Sequence, residues 1–365
     1  MGLKNFTFLK NKKVLITGNT GFKGSWLSLW LNSLGAEVFG LSLKMDISPS
    51  LFDALELENK TNKIKYQNIC DYQEVKNFIL DVQPDIIFHF AAQPIVKVSY
   101  DDPISTFNTN VIGTMNVLDS LRFLDKKCSV IIVTTDKVYE NKEWIYPYRE
   151  NDRLGGHDPY SSSKVCAEVI TNSYYRSFFH PDNYSDHRKK IAVARAGNVI
   201  GGGDWSENRV IPDLIRAILS NDKLVLRSPE SIRPWQHVLE SLSGYLRLSE
   251  FLELNNPREE FYSFNFGPFA TDIMTVGELA EFAIEVYGKG EIIIDNLNKF
   301  HETNYLSLDS SKAIRILSWK PVYSTKISVV ETIVWYKEYN QNLNNIYNYS
   351  LNQIINYDAK ITAQV

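Results

Sequence analysis

The chain has 365 residues, 44% hydrophobic and 22% charged, with 39 Lys and Arg against 43 Asp and Glu and a formal net charge of −4. This composition excludes a disordered chain, a collagen-like fibre and a disulfide scaffold, and gives no global basic field for nucleic acid or an anionic membrane. No window reaches the roughly 18 apolar residues of a membrane helix, and the three widely spaced cysteines, Cys70, Cys128 and Cys166, argue for reduced thiols in the cytoplasm.

Short β-branched runs alternate with longer helical patterns through the first half. Strands are predicted at 14–17, 37–43, 85–90, 129–135 and 191–196. The helices between them fall at 22–34, 71–82, 103–124 and 159–179. Strands buried on both faces and separated by helices mean a parallel, doubly wound α/β sheet. The texture changes after Gly197. Gly201-Gly202-Gly203 breaks regular structure, and helices at 211–219, 240–252, 276–287 and 327–339 alternate with shorter, more mixed elements. This predicts a dinucleotide-binding domain over 1–196 and a smaller mixed α/β lobe over 197–340, with segments near 235–262 returning to the first domain. Seven of the seventeen residues from Asn340 to Asn356 are asparagine, so 341–365 reads as a polar, solvated or frayed tail.

A glycine cluster, Gly18-Asn-Thr-Gly21-Phe-Lys-Gly24, joins the first strand to the first helix. Glycines there let the backbone approach a pyrophosphate, and the helix N-terminus adds unpaired N–H groups and partial positive charge. The G-x-x-G-x-x-G spacing is a variant of the Rossmann dinucleotide fingerprint. Trp26 and Trp30, four apart on that helix, read as core packing, and His89 as a hydrogen-bonded core histidine. Further on, Asp158 suits an N-cap and Pro159 a first helical position, which places Tyr160 and Lys164 one turn apart on one face. An ammonium near a phenol favours the phenolate, so this pair suits removal of a hydroxyl proton. No His/Cys/Asp cluster has metal-site spacing.

The glycine turn with Tyr160 and Lys164 resembles the extended short-chain dehydrogenase/reductase superfamily, in its nucleotide-sugar branch. Within it, Thr134-Thr-Asp-Lys-Val-Tyr139 is similar to the active-site loop of the 4,6-dehydratases. Three longer strings are similar to the branch acting on CDP-glucose: Gly21-Phe-Lys-Gly-Ser-Trp-Leu-Ser-Leu-Trp30, Arg195-Ala-Gly-Asn-Val-Ile-Gly-Gly-Gly-Asp-Trp205 and Ser231-Ile-Arg-Pro-Trp-Gln-His-Val238.

The resemblance implies conversion of CDP-D-glucose to CDP-4-keto-6-deoxy-D-glucose. Tyr160 takes the 4-hydroxyl proton as hydride passes to NAD, Lys164 lowers the tyrosine pKa and holds the nicotinamide ribose, and Thr135 hydrogen-bonds the 4-oxygen. Asp136 protonates the departing 6-hydroxyl. Lys137, where dTDP-glucose relatives have glutamate, either takes the C5 proton as a neutral amine or only orients Asp136. The implied cofactor residues are Gly18, Gly21, Phe22, Lys23, Gly24, Ser42, Asn68, Ile69, Phe90, Ala91 and Ala92, with Tyr160 and Lys164. Asn110 reads as a doubtful cofactor contact or a structural residue. The second strand lacks the acidic residue that binds the adenosine ribose. Weakly bound NAD is therefore expected, and Lys44 leaves NADP open.

Asn198, Arg209 and Arg233 are the implied substrate residues, arginine suiting phosphate through its forked donors; His237 and Tyr305 read either as bordering the same pocket or as satisfied polar residues. Trp205 and Trp235 read as core or as stacking surfaces. The alternatives are a nucleotide-sugar 4-epimerase, a 4,6-dehydratase for another nucleotide sugar, or a silent NAD(P)-binding protein. A homodimer or homotetramer through the helices beginning at Pro103 and Pro159 is also implied, as is a role in making a deoxysugar of a surface polysaccharide.

Overall fold

The computed structural model describes residues 3–45, 48–256, 261–295 and 304–363. Seven parallel strands form one sheet: β1 (Lys13–Thr17), β2 (Glu37–Ser42), β3 (Lys63–Tyr66), β4 (Ile86–His89), β5 (Cys128–Val133), β6 (Lys189–Ala196) and β7 (Tyr262–Phe266). Their order across the sheet is β7-β6-β5-β4-β1-β2-β3. In register, Val14 pairs with Val38 on one side and Ile86 on the other. The doubly wound α/β sheet read from the sequence is therefore present.

Alternation along each strand splits the core into two layers. Val14, Ile16, Ile86, Phe88, Ile131 and Val133 face the larger cluster, shared with Trp26, Trp30 and the helices Val238–Leu254 and Thr325–Gln341. Leu15, Ile87, Val130 and Ile132 face the other, with Tyr72–Val82 and Gly113–Ser120. Trp26 and Trp30 are fully buried, as the packing reading expected. His89 is held between the hydroxyls of Thr17 (2.7 Å) and Thr114 (3.0 Å), and burial lowers its pKa to about 3.

Strand order reverses between β1 and β4, which opens a crevice at their C-terminal ends. Gly18 sits there at φ 78°, and a Cβ on it would lie 2.8 Å from the Ala91 nitrogen. Only glycine allows the loops after β1 and β4 to close so tightly. Over the same edge lie three short strand pairs: Val199–Ile200 with Gln236–His237, Ile232–Arg233 with Met274–Thr275, and Leu224–Leu226 with Ile292–Ile294.

One local reading is corrected here, one open alternative is decided and one strand is added. The stretch 103–124 is not one α-helix: a π-turn at Asn108–Ile112 separates Pro103–Phe107 from Gly113–Ser120. Within that turn Asn110 is structural, bonding Gln93 and the Ser163 hydroxyl. Strand β3, Lys-Ile-Lys-Tyr, escaped notice because an edge strand alternates charge with apolar residues.

The asparagine-rich stretch expected to be solvated or frayed is a helix, Ile346–Ala363. Ile346, Ser350, Ile354 and Tyr357 form a buried stripe at helical spacing that the surrounding asparagines mask in the composition. Ser350 accepts from the Trp335 indole (2.8 Å), and the Tyr357 ring meets Trp30 edge-on. Among the described residues no helix is long and apolar enough to cross a membrane.

Candidate active site

The C-terminal ends of the strands and the short pairs above them enclose a cleft of about 1880 Å³. Its floor is the glycine turn. A Cβ on Gly24 would lie 2.1 Å from the Gly18 carbonyl oxygen, so the turn is closed to side chains and its backbone faces the cleft bare. Buried Asn19 has an amide nitrogen with no partner among the described residues, and the helix Phe22–Ser33 starts at this turn. A bare turn and a helix N-terminus fit a dinucleotide pyrophosphate. Farther along the wall, Ser42 donates to the Asn19 side chain (2.6 Å), so that hydroxyl is already engaged.

The loop carrying Thr135, Asp136 and Lys137 begins where β5 ends. Thr135 donates to Asp136 (2.9 Å) and accepts from the Lys137 N–H (3.3 Å). Asp136 is buried, with one carboxylate oxygen unpartnered among the described residues. Lys137 is partly exposed to the cleft. Burial lowers its pKa, and the guanidiniums of Arg233 and Arg209 lower it further against the pull of Asp136.

Opposite, the helix Pro159–Phe178 begins as the sequence predicts: Asp158 caps it by accepting from the Ser161 N–H (2.9 Å) and hydroxyl (2.6 Å). Tyr160 is buried beside the Thr135 hydroxyl, with which it hydrogen-bonds. Burial raises its phenol to about 12, with Thr135 and Arg209 pulling it back down. Lys164 donates to the Val133 carbonyl (3.2 Å), and its own pKa is lowered by burial to about 8. Among the cations of the cleft, Arg209 draws the Tyr160 phenol down. Lys23 donates to the Tyr245 hydroxyl (3.3 Å). Burial, Arg209 and Lys164 together lower its pKa to about 7.

All the sequence-predicted cofactor residues line this one cleft, and Thr135, Asp136, Lys137, Tyr160, Lys164, Asn198, Arg209 and Arg233 line it too. Trp205 and Trp235 reach it while packing in the core. His237 and Tyr305 do not line it. His237 is fully buried, caps a helix by accepting from the Leu239 N–H, and packs against Trp26 and Tyr323. Tyr305 bonds Asn141 through its carbonyl (3.0 Å) and Ser307 through its hydroxyl (3.4 Å).

Sequence reasoning missed Asp204, a buried carboxylate 3.4 Å from Arg209 that fixes it at the cleft. Its signal was the acid directly after the triple glycine. Two of those glycines are sterically required: a Cβ on Gly202 would lie 2.0 Å from the Trp335 ring, and Gly203 has φ 81°. The arrangement brings together a phenol, a carboxyl and an amine with lowered pKa, ringed by arginines. That set can remove a hydroxyl proton and move protons at neighbouring carbons.

The sequence profile of the GDP-mannose 4,6 dehydratase family matches residues 15–332. The chain is 42% identical to the CDP-glucose 4,6-dehydratase of Salmonella typhimurium over 91% of its own length and 92% of that protein's. It is 25% identical to the UDP-glucose 4-epimerase of Mycoplasma pneumoniae, over 91% and 98% of the two chains. Among solved structures it resembles the dTDP-glucose 4,6-dehydratase of Bacillus anthracis in complex with NAD (TM-score 0.73, 22% identity, covering 92% of this chain and 99% of that one).

Proposed function

The chain belongs to the GDP-mannose 4,6 dehydratase family, and from that premise we propose that it converts CDP-D-glucose to CDP-4-keto-6-deoxy-D-glucose and water, with NAD as resident cofactor. The observation carrying this reading is the Asp136-Lys137 pair beside Tyr160 in one cleft. Oxidation at C4 alone needs only the phenol and its lysine, whereas breaking the C6–O bond also needs an acid and a base. The likeness to the Salmonella enzyme supports CDP-glucose as the nucleotide sugar.

Held along Gly18, Gly21, Gly24 and Lys164, NAD would supply a reversible hydride acceptor for C4 and C6 and a cationic ring that favours the Tyr160 phenolate. Tyr160 takes the 4-hydroxyl proton while Thr135 holds the same oxygen and the Arg209 field favours the charged phenol. A ketone at C4 makes the C5 proton acidic. Lys137 takes that proton: the lowered pKa raises its neutral fraction at physiological pH. Asp136 gives a proton to the departing 6-hydroxyl, the C6–O bond breaks, and Lys137 later returns a proton to C5. Asn198, Arg209 and Arg233 hold the diphosphate side.

Among the described residues no carboxylate lines the cleft beside Ser42, and Ser42 is tied to Asn19, which favours weak NAD binding. Exposed Lys44 makes NADP the alternative dinucleotide. Kinship to a UDP-glucose 4-epimerase favours epimerisation as the second reading, with a 4,6-dehydratase for another nucleotide sugar beside it; Asp136-Lys137 weighs against a simple epimerase.

The protein assembles as an even oligomer in the cytoplasm. Ile104 (74% exposed), Val169 (59% exposed) and Phe178 leave apolar surface on the helices beginning at Pro103 and Pro159, and a four-helix contact between copies covers it. The product feeds synthesis of a deoxysugar for a surface polysaccharide. Incubation with CDP-, dTDP-, GDP- and UDP-hexoses, with and without NAD, followed by mass measurement, tests substrate and reaction together. Loss of one water from CDP-glucose is expected; an unchanged mass with every hexose overturns the reading.

A further inference from the structure

We propose that Glu168 and Arg195 form the positioning pair of this site, holding Lys164 in its protonated form and tying both ends of the catalytic loop to the catalytic helix. This rests on the function proposed above, and nothing in the family likeness assigned either residue a role.

Glu168 lies one turn after Lys164 on the helix Pro159–Phe178, and Arg195 lies on β6. Both side chains are nearly fully buried, and neither lines the cleft. They therefore act through other residues. One Glu168 oxygen accepts from the Thr134 hydroxyl (2.6 Å) and from Arg195 Nε (2.9 Å); the other accepts from Arg195 Nη2 (2.5 Å). The remaining arm of Arg195 donates to the Tyr139 hydroxyl (2.8 Å) and the Glu150 carbonyl (3.0 Å). Thr134 and Tyr139 bracket Thr135, Asp136, Lys137 and Val138. One ion pair thus grips the loop from both sides, and its carboxylate sits one helical turn after Lys164 on the same helix.

The electrostatics point the same way. Lys164 lies in a cleft crowded with cations: Lys23 from the first helix, Lys137 from the loop and Arg209 from beyond the triple glycine. His89 on β4 is neutral, and Asp136 is the nearby loop acid. Burial pushes the Lys164 amine down to about 8, and Glu168 is the group that pulls it back up. Without that carboxylate the amine loses its proton at lower pH. The sequence carried half the signal, an acid four residues after a lysine on one helix; its partner stood hidden in a strand buried at every position.

The test is a titration of Lys164 by 15Nζ-lysine NMR in protein without dinucleotide, its signal assigned with Lys164→Arg. Wild type, Glu168→Gln, Glu168→Asp and the double variant Glu168→Gln/Arg195→Met are compared, each checked for folding by circular dichroism. The double variant leaves no unpaired buried guanidinium and carries the test if the single one fails to fold. Lys164 is expected to titrate lower by about one pH unit in the Gln variants. The alkaline limb of kcat/KM with CDP-glucose should move by the same amount. Glu168→Asp, which keeps the charge, should return both toward wild type. An unmoved Lys164 titration in a folded Gln variant overturns the proposal, even if the rate falls. Failure of the wild type to dehydrate CDP-glucose would instead strike the functional reading, leaving the NMR result to stand by itself.

Discussion

Glu168 under the cleft and Glu240 under the C-terminal helix are both buried acids, and they are handled in opposite ways. Glu168 meets a guanidinium whose other donors reach the catalytic loop. Glu240, in the first turn of Val238–Leu254, meets only neutral donors: the N–H groups of Val322 and Tyr323 (2.6 Å) and the Tyr357 hydroxyl (2.8 Å). Burial pushes its pKa up to about 7 despite those bonds. The first region spends its polar groups on holding charge in place for chemistry. The second uses a carboxyl to clasp a helix onto the core, where charge is a liability. Changes at the cleft should therefore alter rate with little effect on Tm, and changes at the clasp should do the reverse.

Tyr160→Phe gives the largest expected effect: turnover of CDP-glucose falls by about 10²–10⁴-fold, the range for a general acid–base group, while the thermal melt stays near wild type. Lys137→Ala follows. Steady-state elimination should drop by about 10²-fold or more while C4 oxidation, read as a single-turnover rise in reduced cofactor absorbance, survives. Full elimination in Lys137→Ala would leave that lysine only an orienting role toward Asp136.

At the clasp the readout is stability against pH. The folded pKa of Glu240, about 7, lies above the ordinary carboxylate value, so the fold favours its protonated form. Its contribution is fully present below the ordinary carboxylate range and is lost as pH rises through 7, by about 3 kcal/mol in all. Urea unfolding at pH 5 and pH 8 should show most of that loss in wild type relative to Glu240→Gln, with turnover kept in the variant. The smallest effect is Tyr357→Phe, which removes one hydrogen bond to Glu240 and another to the Ser243 hydroxyl (3.0 Å). It should cost about 1 kcal/mol in unfolding free energy and leave kcat unchanged.

Legibility followed the same division. Strands β1, β4, β5 and β6, the capped Pro159 helix and the glycine turn were readable because each is locally determined: a fully buried apolar run, an Asp-Pro start, a turn that only glycine can make. Tyr160, Lys164 and the Asp136-Lys137 pair were found from spacing and family likeness, and the fold brings them to one cleft. What failed depends on distant residues. The sequence left His237 open between pocket and interior, and only contacts with distant Trp26 and Tyr323 place it inside. The C-terminal helix hid its buried stripe among asparagines, because its partners Trp30, Trp335 and Glu240 lie far away in the chain. Asp204 and Glu168 were missed for the same reason, since an acid's importance appears only with the arginine it holds.

The central claim is that this cleft breaks the C6–O bond of a sugar oxidised at C4. CDP-glucose carrying deuterium at C4 tests it most directly, with the product followed by NMR. Recovery of the label on the C6 methyl group of a 4-keto sugar is the predicted result. Label kept at C4, beside an intact 6-hydroxyl and an inverted 4-hydroxyl, would contradict it.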